Sequence, residues 1–366
     1  MKKILFVGSE ANPFAATGGL GDVLGSLPAA LKEENPDYDV RVVMPLHSLV
    51  KPEYREQMVD VCEFIVPLAW RKQYCGVKSL TFNGVIYYFI DNEFYFSGDK
   101  PYDFIHLDAE KFVFFSKAIV SILPTIDFRP DVIHCNDWQT GAVPVILDTC
   151  RNNEFYRGIK TVMTIHNLKF QGRWGMKEIK DILGIDDYYF TDDKLEYYTD
   201  ANLLKGGMVY ADKITTVSET YANEICTSEY GEGLDSLLSA RRGDLWGIVN
   251  GISYEDWNSG TDKFIYNNYT AHNIVSGKQK NKTALQKELG THRSTNGIAL
   301  TRFVPTGVPP VSMRTGLSGN RYCLSLPGIV PAVVNDRLSV MTDSIIRTEP
   351  AVVVTALRRP VSLLRW

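Results

Sequence analysis

Patterns that hold metals are missing from these 366 residues. The six histidines (His47, His106, His134, His166, His272 and His292) have neither H-x3-H nor H-E-x-x-H spacing. The six cysteines (Cys62, Cys75, Cys135, Cys150, Cys226 and Cys323) include no C-x-x-C pair, so they are expected as small buried hydrophobes in a reducing cytoplasm. There is no G-x-S-x-G elbow for acyl transfer and no G-x-x-x-x-G-K-[ST] loop for nucleotide phosphates. No apolar run approaches the ~20 residues of a membrane span, and the start, MKKILFVGSE, has too few apolar residues for a signal peptide. A basic face interleaved with aromatics is lacking, and the net charge of −4 gives no reason to expect nucleic acid. The expectation is a cytoplasmic protein with no metal, cofactor, membrane, nucleic acid or obligate protein partner.

Lysine disappears after residue 290. Residues 1–290 hold all 21 lysines, nine arginines and 40 acidic residues, a balance of −10. Residues 291–366 hold nine arginines and three acids (Asp336, Asp343 and Glu349), a balance of +6, with seven of the 17 prolines. Neither a helical stripe nor clean alternation persists there. One reading is a basic tail or mobile linker. So abrupt a change favours the other, a stretch translated in a shifted frame and expected to pack loosely.

Upstream of the break, short apolar runs alternate with helical patterns. Strands are expected at Lys3–Gly8, Val40–Met44, Val132–Cys135, Thr161–Ile165, Lys213–Val217 and Leu245–Val249. Helices are expected at 21–34, 107–121, 139–151, 176–183, 202–210, 218–229 and 276–289. Residues 60–91 alternate with period two, and Asn83-Gly84 signals a hairpin turn, so a small antiparallel insertion is expected there. The fold class is α/β: a Rossmann-like, doubly wound parallel sheet over residues 1–260. Residues 261–290 read as a linker and helix, and 291–366 as the aberrant tail.

Sheets of this kind bind ligands outside the carboxyl ends of their strands. The first strand leads into PFAATGGLGDV, residues 13–23, and then Leu24, Leu27 and Leu31 on one helix face. Gly19, Gly21 and Gly25 make G-x-G-x-x-x-G, one residue longer than the dinucleotide fingerprint. Such a turn brings N–H groups and a helix N-terminus to an anion. The competing explanation is a tight turn with glycine chosen for positive φ. The later strands end in His134-Cys135-Asn136-Asp137-Trp138, His166-Asn167, Ser218-Glu219-Thr220 and Asn250-Gly251. Singly, His166 reads as structural, Asp137 as a helix cap, Lys205 as a solvated helix residue and Glu10 as a cap of the first loop. Together on one rim they suit group transfer from an activated, nucleotide-linked donor.

Five stretches carry a specific likeness: TGGLGDVLGSLP, IHCNDWQTG, TIHNLKFQG, NLLKGGMVYADKITTVSETYANEI and GEGLDSLL…GIVNGISYEDWN. In that order they resemble the bacterial glycogen synthases and plant starch synthases, from Met1 to about Gly290. The resemblance implies transfer of glucose from ADP-glucose to the non-reducing end of an α-1,4-glucan (glycogen), with configuration retained. It also implies the B-type glycosyltransferase fold, two Rossmann-like domains across a cleft, of which residues 1–260 match the first. Gly18 and Gly19 match the glycines that bring N–H groups to the donor diphosphate. Ala16 stands where the family often has lysine. The implied catalytic residues are Asp137, near the transferred glucose or the acceptor, and His166, beside the anomeric centre. Asn167 and Asn250 are expected to bind substrate, and Tyr95 and Trp138 to offer aromatic faces to the glucan. The family's S-R-L-x-x-Q-K-G stretch is absent from 291–366, so this chain is expected to turn over slowly or not at all. The alternatives are a non-catalytic glucan-binding fragment or an unrelated nucleotide-binding α/β protein.

Overall fold

Along Lys3–Val7 (β1) the side chains alternate between two apolar cores, Leu5 and Val7 on one face of a sheet and Phe6 on the other. The same period puts Val43 of Asp39–Pro45 (β2) with Leu5, and Val40, Val42 and Met44 with Phe6. Strands apolar on both faces belong in a parallel sheet covered on both sides. In the computed structural model, which describes residues 1–102, 105–251, 253, 258–288, 322–324 and 332–334, that sheet has nine strands. After β2 the chain's strands, in this sheet and a smaller one, are in order Val59–Leu68 (β3), Arg71–Phe82 (β4), Val85–Asp91 (β5), Val132–Asn136 (β6), Lys160–Ile165 (β7), Arg173–Gly175 (β8), Glu196–Tyr197 (β9), Asp200–Asn202 (β10), Lys213–Thr216 (β11) and Leu245–Gly247 (β12). The sheet order is β12-β11-β7-β6-β1-β2-β5-β4-β3, with β8-β10-β9 forming a separate three-stranded sheet. Pairing is parallel from β12 through β5 and antiparallel from β5 to β3.

Gly19–Glu34 (α1) covers the Phe6 face with Leu20 and Leu24. After the short helices Pro52–Arg55 (α2) and Glu93–Phe96 (α3), the other face is covered by Ile105–Thr125 (α4), Ala142–Thr149 (α5), Met176–Leu183 (α6) and Leu203–Tyr210 (α7). Glu219–Glu224 (α8) and Asp235–Ala240 (α9) lead into β12. The chain runs from β1 to β2 on one side and returns to β6 on the other. The strand order therefore reverses between β1 and β6, which is where such sheets open a crevice.

The antiparallel insertion expected over 60–91 is present as β3, β4 and β5, and it extends the edge of the main sheet, because β5 pairs in parallel with β2 from Arg41–Ile86 to Pro45–Ile90. Its turn is as expected: Asn83 (φ 47°) and Gly84 (φ 73°) both take the positive φ that a two-residue hairpin demands. The helix expected over 139–151 breaks into a 3-10 turn, Trp138–Thr140, and α5, while the one over 218–229 stops at Glu224.

The chain divides into two compact units, Met1–Gly251 and Ile252–Trp366. In the second, Ile274–Glu288 (α10) brings Leu285 against Ile265 and Tyr269, and Tyr322–Leu324 pairs antiparallel with Ala332–Val334. The rest of the expected tail lies outside the described residues.

α5 and α7 meet backbone to backbone. A Cβ on Gly141 would lie 2.3 Å from the Leu203 carbonyl oxygen, and one on Gly207 would lie 2.9 Å from Gly141 Cα. Backbone cannot swing aside as a side chain can, so Gly141→Ala should destabilise the fold by about 1–3 kcal/mol in urea unfolding. Gly243→Ala, with nothing within 4 Å of the added methyl, should change it by less than about 0.5 kcal/mol. Equal effects would show that the crossing yields.

Candidate active site

The residue after β6, Asp137, has φ 54° and ψ −177°, a region that glycine alone visits freely. Its carboxylate does not cap the 3-10 turn Trp138–Thr140, so the helix-cap reading fails. Instead Asp137 Oδ1 accepts from the backbone N–H of His166 (2.8 Å) and Asn167 (3.4 Å) at the end of β7. The turn is closed by Thr140, whose Oγ1 accepts from Asn136 N at 2.7 Å. Burial pushes the Asp137 carboxyl up to about 7 against the lowering effect of those two amides, and the charge of Glu10 adds to the rise.

His166 is held through its ring. Nε2 lies 2.9 Å from Asn136 Oδ1, and Asn136 is itself fixed by donating Nδ2 to the carbonyls of Val7 (3.0 Å) and His134 (3.1 Å). Burial lowers His166 to about 4, so the ring is neutral near pH 7. His134, held by Thr164 Oγ1 at 2.5 Å, and His47, held by the Ser9 carbonyl at 2.8 Å, are also lowered to about 4, chiefly by burial.

The glycine turn is tied to the same place by Glu10. Its carboxylate accepts from Thr17 N, from Thr17 Oγ1 at 2.8 Å and from the Tyr102 hydroxyl at 2.5 Å, as expected of a cap for that loop. None of Gly18, Gly19, Gly21 and Gly25 is at positive φ, so the tight-turn explanation does not hold. Gly21 and Gly25 serve packing, since a Cβ would come within 2.5 Å of Ala16 Cβ and 2.4 Å of the Asn12 carbonyl oxygen. Gly19 differs: nothing lies within 4 Å of where its Cβ would be. Gly18 caps α1 in extended conformation, and its carbonyl accepts from Gly21 N at 3.1 Å. The start of the helix, with about half a positive charge, therefore faces the open space beside Gly19.

The remaining expected residues scatter. Ala16 is exposed beside Gly21, and Asn250 is exposed after β12 at the same end of the sheet. Asn167, half-buried, accepts from Lys169 N at 3.1 Å. The two aromatic faces are not open. Trp138 is 8% exposed, with its ring 5.1 Å from Phe112 and 5.2 Å from Trp174. Tyr95 is 6% exposed, packed on Phe114 and donating its hydroxyl to Glu110 at 2.6 Å. Core packing, which maximises apolar contact, has taken both rings. Lys205 is buried rather than solvated, donating Nζ to the carbonyls of Asp192 and Glu196 at 2.5 Å. Asn136 and Tyr102 were not singled out from sequence. Asn136 sits beside Asp137 in its motif, whereas Tyr102 had no signal at all.

Chemically, a crevice at the strand reversal offers an open helix N-terminus, a buried carboxyl and a neutral imidazole. That set can hold an anionic group next to a hydroxyl-bearing one. Between about pH 4 and 7 the folded chain binds a proton at Asp137 that the unfolded chain does not. The stability from this group is thus present at low pH and lost as pH rises through about 7. Asp137→Asn keeps an Oδ1 acceptor for both amides without the charge. In calorimetry at successive pH values its Tm should gain on the parent as pH rises from about 5 to about 8; a constant difference would contradict a buried, titrating Asp137.

A family described as "Starch synthase catalytic domain" matches residues 3–240. Glycogen synthases of Lachnospira eligens and Lachnoclostridium phytofermentans are 60% and 56% identical over 291 residues, covering 79% of this chain and 60% of each relative. That of Geobacillus thermodenitrificans is 48% identical over 289 residues, covering 79% of this chain and 59% of its own. The chain thus spans about 60% of the length of these relatives. Among solved structures, the catalytic domain of Starch Synthase IV from Arabidopsis thaliana, bound to ADP and acarbose, superposes with a TM-score of 0.71 at 28% identity, covering 81% of this chain and 60% of that one.

Proposed function

Since the chain belongs to the starch synthase catalytic-domain family of glycosyltransferases, we propose that its rim serves transfer of glucose from ADP-glucose to the non-reducing end of an α-1,4-glucan with configuration retained. The observation that carries this reading is the open N-terminus of α1 at Gly18-Gly19, beside the Asp137–His166 pair at the strand reversal. The bond broken is that between the anomeric carbon and the diphosphate, and the bond formed joins that carbon to the glucan hydroxyl oxygen. The departing ADP takes the hydroxyl proton on the same face, so no second carboxylate is needed as nucleophile. The α1 amides take up diphosphate charge as it develops. Asp137 and His166 flank the glucose, while Ala16, Asn167 and Asn250 line the approach. Residues 1–260 are this catalytic lobe, 261–290 a linker and helix, and 291–366 a tail outside the chemistry. The family's substrates suit the cytoplasm, and among the described residues no helix is long and apolar enough to cross a membrane.

A second reading has its own support. Among the described residues one parallel sheet carries such a rim, and holding reactants in position can supply ~7–11 kcal/mol of a barrier. On that reading the chain binds glucan and turns over little. Incubating it with labelled ADP-glucose and glycogen separates the two. Incorporation that vanishes in His166→Ala supports transfer; co-sedimentation with glycogen without incorporation supports the binding lobe; neither behaviour would sink both. Gly19→Ala should leave Tm unchanged or slightly raised, because alanine suits a helix better. It should weaken ADP binding by about tenfold, roughly 1.4 kcal/mol, in calorimetric titration, because its methyl fills the space at the helix N-terminus.

A further inference from the structure

We propose that Asn136 positions His166 as its Nε2–H tautomer, so that the imidazole meets a ligand only as a hydrogen-bond acceptor, through Nδ1. The argument starts from the Asn136 amide. Its Nδ2 has two carbonyl acceptors, Val7 O at 3.0 Å and His134 O at 3.1 Å. Reversing the amide would set its oxygen against both, leaving two buried acceptors facing an acceptor. The orientation is therefore fixed by its partners, and Oδ1 faces His166 Nε2 at 2.9 Å. A carbonyl oxygen can only accept, so Nε2 carries the proton and Nδ1 the lone pair. The Asn136 side chain is almost wholly buried and its backbone N–H is anchored on Thr140, so it does not turn away to allow the other tautomer. His166 Nδ1 has no partner among the described residues, and its ring is only partly buried.

This divides the recognition of a ligand between two groups. A bare Nδ1 repels an anionic oxygen and accepts from a hydroxyl, so His166 selects hydroxyl donors. Anionic oxygens fall to the N–H groups at the start of α1. The tautomer stands on the protein's own contacts; identifying the hydroxyl as one of a sugar rests on the proposed function.

The test is a long-range proton–nitrogen correlation spectrum of the 366-residue chain labelled with 15N-histidine, with His166 assigned by its loss in His166→Gln. A single tautomer is expected, protonated at Nε2, with that proton protected from exchange with water. A mixture, or a proton on Nδ1, would overturn the proposal without any variant. In Asn136→Ala the ring should become a mixture and the Nε2 proton should exchange freely. A protected single tautomer in Asn136→Ala would show that another group sets it. Maltoheptaose should shift Nδ1 and leave the Nε2 proton in place, whereas a switch to Nδ1–H on binding would overturn the acceptor role. If maltoheptaose perturbs nothing, the sugar reading fails while the tautomer assignment stands.

Discussion

The rim is organised by one buried carboxylate. Asp137 occupies a backbone region that costs a non-glycine residue about 1–3 kcal/mol, and its burial adds a desolvation cost that lifts its pKa to about 7. Two backbone amides at the end of β7 offset part of this. The preceding residue, Asn136, reaches the other way and bonds the last carbonyl of β1. Two consecutive residues at the end of β6 therefore fix the ends of β1, β6 and β7. Nothing in the packing of the sheet needs a charge there, since the cores on either side are closed by apolar side chains. A strained, buried, ionisable group at the strand reversal is what a site demands and what folding alone would remove.

The glycines of the opening turn divide by what surrounds them. Gly8, Gly21 and Gly25 are places where a Cβ would strike Leu24, Ala16 or Asn12, so they let the loop lie flat against α1. Gly19 has no such neighbour and no unusual φ. In a helix, glycine without a packing reason is worse than alanine by roughly 0.5–1 kcal/mol. On the proposed function, its presence is accounted for by what approaches the helix from outside. The sequence pattern, in which Gly19, Gly21 and Gly25 look alike, does not separate these two uses; only the neighbours do.

Much of the frame was legible because parallel strands announce themselves. Six apolar runs were placed within two residues of β1, β2, β6, β7, β11 and β12, and the residues following them lie at one end of the sheet. The small sheet β8-β10-β9 was not legible, because strands of two or three residues are too short to alternate. Chemical pairing at the site was legible only in part. Asp137 and His166 were picked from their motifs, yet the link between them runs through a backbone N–H and through Asn136, which no spacing rule reports. Aromatic residues misled for a general reason. Trp138 lies inside its motif and Tyr95 just beyond β5, but a large ring is drawn into the core wherever it can be enclosed, and position in sequence does not say which way it turns. Lys205 misled in the opposite sense: its long apolar stem let the ammonium be buried against two carbonyls.

The electrostatics of the rim carry an internal tension. A helix N-terminus attracts an anion by about 0.3–1 kcal/mol, up to ~2 in partly buried settings. One full negative charge about 4 Å from an anion opposes it by about 4 kcal/mol at an effective dielectric constant of 20. Glu10 and Asp137 interact with each other electrostatically, and Glu10 holds the very turn that leads into α1. Position 16, where the resemblance leads one to expect a lysine, is alanine. Lys111 is near enough to disfavour charge on His47, but its ammonium already bonds the Pro101 carbonyl and pairs with Asp108. The tension eases from the carboxylate side. Three donors share the charge of Glu10. Asp137, at about 7, gives up its charge near neutrality for little free energy, because each unit between pH and pKa is worth only about 1.4 kcal/mol. On the proposed function, an arriving anion would raise that pKa further, so its binding and the protonation of Asp137 would favour one another.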